Sequence, residues 1–240
     1  MKSISYKQEL FDLISQLTSF NDKIVIEYDE ETKMVKIKRQ DENKTSAYIL
    51  TAPHEFFSID EKIGFYKFTE FYKFLKTLHN PTIKIHQNKL MLSSNESNFT
   101  YILIDASRMK TGPNDFVMDN PDFEFELNSE SLKEIVNMST LLKNSKHSEI
   151  TCLNDKINVR TIGISEDDNS FEINFDANIT NKEYIKEPLQ FKMFSDFFNK
   201  LPANQDYKVS IKSPGHLIFK MISDDIQLKL YTAFIRKRGK

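Results

Sequence analysis

Residues 68–78 read FTEFYKFLKTL, and residues 191–201 read FKMFSDFFNKL. Phe68, Phe71, Phe74, Leu75 and Leu78 of the first stretch correspond to Phe191, Phe194, Phe197, Phe198 and Leu201 of the second, at a constant offset of 123 residues. The spacing i, i+3, i+6, i+7, i+10 sets all five on one helical face. Helices are therefore expected over 67–78 and 191–200. Their phenylalanines Phe71, Phe74, Phe194 and Phe197 are expected in the core, not as a platform for stacked bases. A stripe repeated this way marks a duplicated module.

The repeat extends outward in both directions. Leu10, Leu13 and Ile14 match Leu132, Ile135 and Val136 at an offset of 122. They predict amphipathic helices over 6–18 and 129–143, the second capped by Asn128 or Ser129 ahead of Glu130. Downstream, TIKIHQNKLMLSS matches YKVSIKSPGHLIFKMIS, and FTYILIDAS (99–107) matches IQLKLYTAF (226–234) at an offset of 127. Between the helices lie strand-like stretches: KIVIEY, MVKIKR, SAYILT and a run near 56–65, then EITCL, KINVRTI, FEINFDANI and LQFKM. Their period-two alternation suits strands with one covered face. Turn signals separate them at 29–32, 41–44, 154–156 and 166–169. The chain thus reads as α+β, with two tandem copies of a helix–strands–helix–strands module. The modules span 1–108 and 123–240. Residues 109–122, with Gly112, Pro113, Asn114, Asp115, Asn120 and Pro121, form a linker.

Composition excludes several function classes. The 240 residues carry a formal charge of -2 and are 39% hydrophobic and 28% charged, which suits a folded soluble chain. Cys152 is the one cysteine, so no intrachain disulfide or cysteine-based zinc site can form. It lies in a strand pattern and reads as a small buried hydrophobe. The five glycines are too scattered for a phosphate-cradling loop. No two of the five histidines stand three or four residues apart, and neither H-E-x-x-H nor G-x-S-x-G occurs. No catalytic residue, metal or cofactor is expected, and the chain is not expected to be an enzyme. Glu9 and Asp12 argue against an export signal. Apolar runs of about four residues, as at Tyr101–Ile104, argue against a membrane span. A reducing cytoplasm is expected, that of a host cell if the protein is viral.

In its module order, in the linker after ILIDAS and in the last strand LKLYTAF, the chain resembles the DNA sliding clamps. It is most similar to the trimeric polymerase processivity factor of T-even phages. It is more distantly similar to proliferating cell nuclear antigen (PCNA), with Phe234 where that family's Tyr-x-Ala-Pro strand has proline. The resemblance covers nearly the whole chain. It implies a DNA-clamp fold and a six-module ring built as a homotrimer, with helices lining a hole around double-stranded DNA of any sequence. It also implies a tethered DNA polymerase, processivity in phage DNA replication, and a clamp-loader ATPase as a partner. Open sheet edges, here FTYILIDAS and FEINFDANI, are a liability that a cyclic trimer removes. Two other readings remain open: a monomeric viral DNA-binding processivity factor, and a non-enzymatic structural or scaffold protein of a virion.

The candidate DNA-facing residues are Lys2, Lys7, Lys67, Lys73, Lys76, Lys133, Asn137, Lys143, Lys146, Lys192, Asn199 and Lys200. Flexible lysines attract phosphates without reading bases, and the chain has only five arginines. The same lysines equally suit ordinary solvated helix faces. By resemblance, Tyr231, Ala233 and Phe234 join Phe116, Val117, Met118 and Ser46 in an apolar pocket for partner peptides. Phe116–Met118 is an apolar triplet in a polar linker and should cover apolar surface; it would serve equally as an anchor between modules. The basic end IRKRGK departs from the acidic tail of the cellular clamps, and reads as a frayed tail or an added DNA contact.

Overall fold

Leu10, Phe11, Leu13, Ile14 and Leu17 are all buried, at the three- and four-residue spacing that makes one helical face. They form helix α1 (Gln8–Leu17), and Phe68, Phe71, Tyr72 and Leu75 do the same for α2 (Phe68–Thr77). The start of α2 is fixed by Asp22, whose carboxylate accepts hydrogen bonds from the Thr69 amide and hydroxyl at 2.8 and 2.7 Å. In α3 (Ser129–Leu141), Leu132 and Ile135 are buried and Asn128 caps the first turn through Ser131 N–H at 2.8 Å. The computed structural model describes residues 2–95, 97–113, 115–142, 147–153, 155–163, 169–179, 189–212 and 215–234.

The chain divides into two compact units. One comprises Met1–Asn114 with Ser223–Leu228, the other Asp115–Ile222 with Lys229–Lys240. In the first unit a short strand, β1 (Lys2–Ile4), precedes α1. Then come β2 (Ile24–Asp29), β3 (Met34–Gln40), β4 (Ser46–Pro53) and β5 (Ile63–Phe65) before α2. After α2 come β6 (Thr82–His86), β7 (Lys89–Ser94) and β8 (Ser97–Ile102). Antiparallel pairing gives the orders β5-β2-β3-β4 and β1-β6-β7-β8.

The second unit repeats this plan. It opens on β9 (Phe123–Leu127), ahead of α3, and continues with β10 (His147–Leu153), β11 (Lys156–Ile162), β12 (Ser170–Ile179) and β13 (Leu189–Phe194). It ends with β14 (Tyr207–Lys212), β15 (His216–Met221) and β16 (Gln227–Ala233), of which Gln227 and Leu228 fall in the first unit. The orders β13-β10-β11-β12 and β9-β14-β15-β16 are those of the first unit. The short strand that opens each module, β1 or β9, was not foreseen. Each closes a sheet against β6 or β14.

Helices and sheets meet over aromatic rings. In the first unit Phe11 lies 5.0 Å from Phe57, and Phe65 lies 4.9 Å from Phe71 and 5.2 Å from Phe68, all of them buried. Burying each such side chain stabilises the fold by about 2 kcal/mol. In the second, Phe197 and Tyr207 pack on Phe219 at 5.3 and 6.3 Å.

Three expectations are corrected. The helix expected over 191–200 is absent. Leu189–Phe194 instead pairs with β10, from Cys152↔Leu189 to His147↔Phe194, and Ser195–Lys200 forms a 3-10 helix. The alternation Leu189, Phe191, Met193 fits a strand as well as the helical spacing fits a helix, and the open side of β10 decides between them. Phe74 is 39% exposed, because the buried stripe of α2 runs through Tyr72 instead. Finally, FEINFDANI is an edge over only part of its length. Among the described residues Ser170–Asp176 pairs with β11 alone, whereas Ala177–Ile179 pairs with β9. Lys143, Lys146, the expected turn residues 166–168 and tail residues 235–240 lie outside the described residues.

Candidate nucleic-acid and partner surfaces

The apolar stripes of the helices leave their opposite faces to solvent. On α2 that face presents Lys73 and Lys76, and on α3 it presents Lys133 and Asn137. Lys73 and Lys133 make no ion pair among the described residues. Lys76 is engaged. Its ammonium lies 3.5 Å from the Asp12 carboxylate on α1, which also accepts a hydrogen bond from the Tyr72 hydroxyl. Burial raises the Asp12 pKa, but the bonds from Tyr72 and Gln8 and the Lys76 charge outweigh it, so the carboxyl sits below its ordinary value. The Lys76 pKa is raised, first by its hydrogen bond to Tyr72.

The remaining candidates have other settings. Lys2 stands on β1 and bonds to Asp60. Lys7 is the residue before α1, 3.6 Å from Glu55 and over the Phe56 ring at 3.8 Å. Lys67 occupies the corresponding position before α2 and is exposed. Lys192 stands on β13, not on a helix. Its register partner is Glu149, and their charges meet at 2.7 Å. Asn199 is exposed on the 3-10 helix, and Lys200 pairs with Asp196 at 3.2 Å.

Acidic residues share the helix faces. Glu9, Glu70, Glu130 and Glu134 are exposed and Asp12 half-buried, beside Lys73, Lys76 and Lys133. These faces therefore offer isolated cations among carboxylates, without a continuous basic stripe. Attraction to phosphate is correspondingly weak and easily screened.

Six of the seven expected peptide-pocket residues belong to the second unit, and two of them, Phe116 and Tyr231, are in contact. Phe116 stacks on Tyr231 with centroids 5.0 Å apart and planes 13° apart. The Tyr231 hydroxyl is hydrogen-bonded to His216 Nδ1, and partial burial raises its pKa. Val117 is 72% exposed, while Met118, Ala233 and Phe234 are half-buried. The linker is held by several side chains. Lys229 reaches Asp115 at 3.1 Å, and Lys212 donates to the carbonyls of Asp119 and Asn120 at 2.6 and 2.7 Å. Asp122 N–H then donates to Ile211 O at 2.9 Å. Ser46, in the first unit, is buried at the start of β4, with its amide on Asp41.

One surface escaped the sequence reading: a cleft of about 890 Å³ in the first unit, lined in part by Arg39, Tyr66 and Lys110. Its signal was available. On β3 the buried positions are Val35, Ile37 and Arg39, so period two sets an arginine on the inward face. Among the described residues no group of three or more His, Cys, Asp or Glu could hold a metal ion. No described helix is long and apolar enough to cross a membrane.

No protein-family model matches the chain, and no curated protein matches it in sequence. Solved structures do match over nearly its whole length. PCNA of A. fulgidus, in a structure with the C-terminal region of FEN-1 bound, has a TM-score of 0.74 at 13% identity, covering 99% of this chain and 100% of that one. PCNA of Entamoeba histolytica gives 0.75 at 16%, with 98% of each chain covered. PCNA of Thermococcus kodakaraensis gives 0.73 at 17%, covering 97% and 99%. With the same strand order in both units and this end-to-end correspondence, the chain has the PCNA-like clamp fold.

Proposed function

We propose that this protein is a sliding clamp of the T-even phage type. Three chains close a ring of six modules around duplex DNA and tether a DNA polymerase to its template. The observation that carries the reading is a pair of part-empty strands. Among the described residues, β8 is an edge that pairs only with β7, and Ser170–Asp176 of β12 pairs only with β11. Apolar side chains are exposed near both: Ile102 on β8 and Phe74, which stacks on the half-buried Phe99 of β8, and Leu141 on α3, the helix that packs on β12. Exposed edges with apolar neighbours call for a strand partner. Pairing β8 of one chain with β12 of the next is head-to-tail and closes by rotation.

Function on DNA follows from topology more than adhesion. With carboxylates among the helix lysines, the ring holds duplex because it surrounds it. A clamp-loader ATPase would open it. The polymerase would be held near the primer end at high effective concentration, through a peptide seated at Phe116–Met118 and Tyr231–Phe234. No catalytic step is assigned to the chain, and its place of action would be the host cytoplasm.

The deciding measurement is lifetime on loaded circular DNA against the same DNA linearised, at high salt. A ring survives on the circle and runs off the linear ends. Equal lifetimes would mean surface binding by an open monomer and would overturn the proposal.

A further inference from the structure

Arg39 is 6% exposed, yet no carboxylate answers its charge among the described residues. Its Nη1 donates to the Lys110 carbonyl, and its buried Nε has no hydrogen-bond partner. A buried cation without a counter-charge is costly, and an unsatisfied buried donor adds to the cost. Burial accordingly lowers the Arg39 pKa. Across the ladder its register partner is Tyr48, whose hydroxyl is also buried without a partner.

Nearby acids do not fill the gap. Asp41 spends its carboxylate on the Thr45 amide and hydroxyl, both at 2.8 Å, and on the Ser46 amide at 3.2 Å. Asp105 accepts from the Ser107 amide and hydroxyl and pairs with Arg108 at 3.3 Å. Arg39 lines the 890 Å³ cleft together with Lys23, Tyr66, Ile104, Met109 and Lys110. Lys23 stands over the Tyr66 ring at 5.2 Å, and Tyr66 is 52% exposed.

We propose that this cleft is a second docking site, which binds an acidic peptide segment of a partner protein. A side-chain carboxylate would meet the Arg39 guanidinium, and a neighbouring apolar residue would lie on Tyr66, Ile104 and Met109. A planar guanidinium fork matches a carboxylate with two parallel bonds. The apolar part of the wall favours a peptide. Asp41, Glu42 and Asp105 in the same wall repel a polyanion such as DNA, while a single carboxylate can pass them. The site lies wholly within the first unit and takes in the first residues of the linker, Met109–Thr111, but shares no residue with Phe116–Met118 or Tyr231–Phe234, so it goes beyond the clamp reading and does not depend on ring closure.

The test uses the whole chain labelled with nitrogen-15. Five arginines give at most five side-chain Nε–H resonances, and Arg39→Lys assigns the one that belongs to Arg39. The probes are acetyl-Asp-Phe-Leu-amide, its Asn counterpart, inorganic phosphate and a short DNA duplex, all at fixed ionic strength. The Asp peptide should move the Arg39 resonance saturably, and the Asn peptide should bind about tenfold more weakly. Lys23→Ala and Lys110→Ala, both at exposed positions, should weaken the Asp peptide by roughly threefold each. No movement, or equal binding of the Asp and Asn peptides, would overturn the proposal. So would phosphate or duplex moving the resonance at lower concentration than the Asp peptide. Any of these results leaves the circular-DNA test untouched.

Discussion

Phe74 of α2 stacks on Phe99 of β8, with centroids 3.7 Å apart and planes 17° apart. The pair ties the helix to an edge strand that pairs on one side only among the described residues, and Ile102 of that strand is 62% exposed. If this edge joins neighbouring chains, Ile102→Lys should break the assembly without harming the fold. Light scattering should drop from about 85 kDa, three chains of 28.2 kDa, to a single chain. Circular dichroism should not change, because a surface substitution of this kind costs about 0.5 kcal/mol or less. A variant that stays trimeric would move the interface elsewhere.

The Asp12–Tyr72–Lys76 network gives a pH signature. Burial raises the Asp12 pKa, but the hydrogen bonds and the Lys76 charge lower it further, leaving the folded value below the unfolded one. Its stabilisation is therefore present above the ordinary carboxylate range and is lost as pH falls through the folded pKa. Tyr72→Phe should cost about 1 kcal/mol at neutral pH. The difference from wild type should vanish once Asp12 is protonated, in the acid limb of urea melts run at several pH values. A cost independent of pH would mean that the hydroxyl does not serve Asp12.

Much of this was legible because a helix stripe and a strand alternation are periodic signals. Leu10, Leu13 and Ile14 announced α1, and Leu132 and Ile135 announced α3. The reading failed where both periods fit. Residues 189–194 satisfy strand alternation and 191–201 satisfy helical spacing, and only the bare side of β10, a tertiary fact, selects the strand. Phe74 failed for an angular reason. At about 100° per residue it falls some 110° from the centre of the stripe formed by Phe68, Phe71, Tyr72 and Leu75. Among site residues, the stacking of Phe116 on Tyr231 brings together residues distant in sequence, as a polar linker with an apolar triplet suggested. Ion pairs such as Lys192 with Glu149 depend on register and left no mark in the sequence.

Cys152 is fully buried in β10, and burial pushes its thiol pKa up to about 12. The thiolate is the reactive form. At pH 8 the native protein should react with a disulfide reagent roughly a thousandfold more slowly than a free thiol. In urea, labelling should track the loss of circular dichroism. Rapid labelling of the native state would show that β10 opens locally.

If a partner peptide seats on the linker as proposed, Val117 and Phe116 should separate its binding from packing. Val117 is 72% exposed, whereas Phe116 lies against Tyr231. Val117→Glu should weaken polymerase binding at least about tenfold, through loss of an apolar contact and burial of a charge, with the melting temperature unchanged. Phe116→Ala should both weaken binding and lower stability by about 1 kcal/mol. Normal polymerase binding in both variants would place the partner site elsewhere.

The helix lysines offer the sharpest test of encirclement against adhesion. Lys73 and Lys133 are exposed and make no ion pair among the described residues, so Lys73→Glu and Lys133→Glu should leave the fold intact. Lys76, Lys192 and Lys200 are poorer choices, because each would set a new carboxylate beside Asp12, Glu149 or Asp196. Each chain carries a formal charge of -2, so a trimer is acidic and bulk attraction to DNA is absent. Direct binding to short duplex should therefore be weak already. Each lysine that neutralises a phosphate should contribute about 0.9 to the slope of log affinity against log salt. The double variant should flatten that slope by about 2 per chain if both lysines meet phosphate, and should slow loading onto circles at low salt. Once loaded, it should remain on closed circles as long as wild type does if the proposed ring forms, because escape would then require opening the ring and not breaking lysine contacts. A double variant that leaves closed circles as fast as linear DNA would show that the lysines, not the closed path, hold the protein in place.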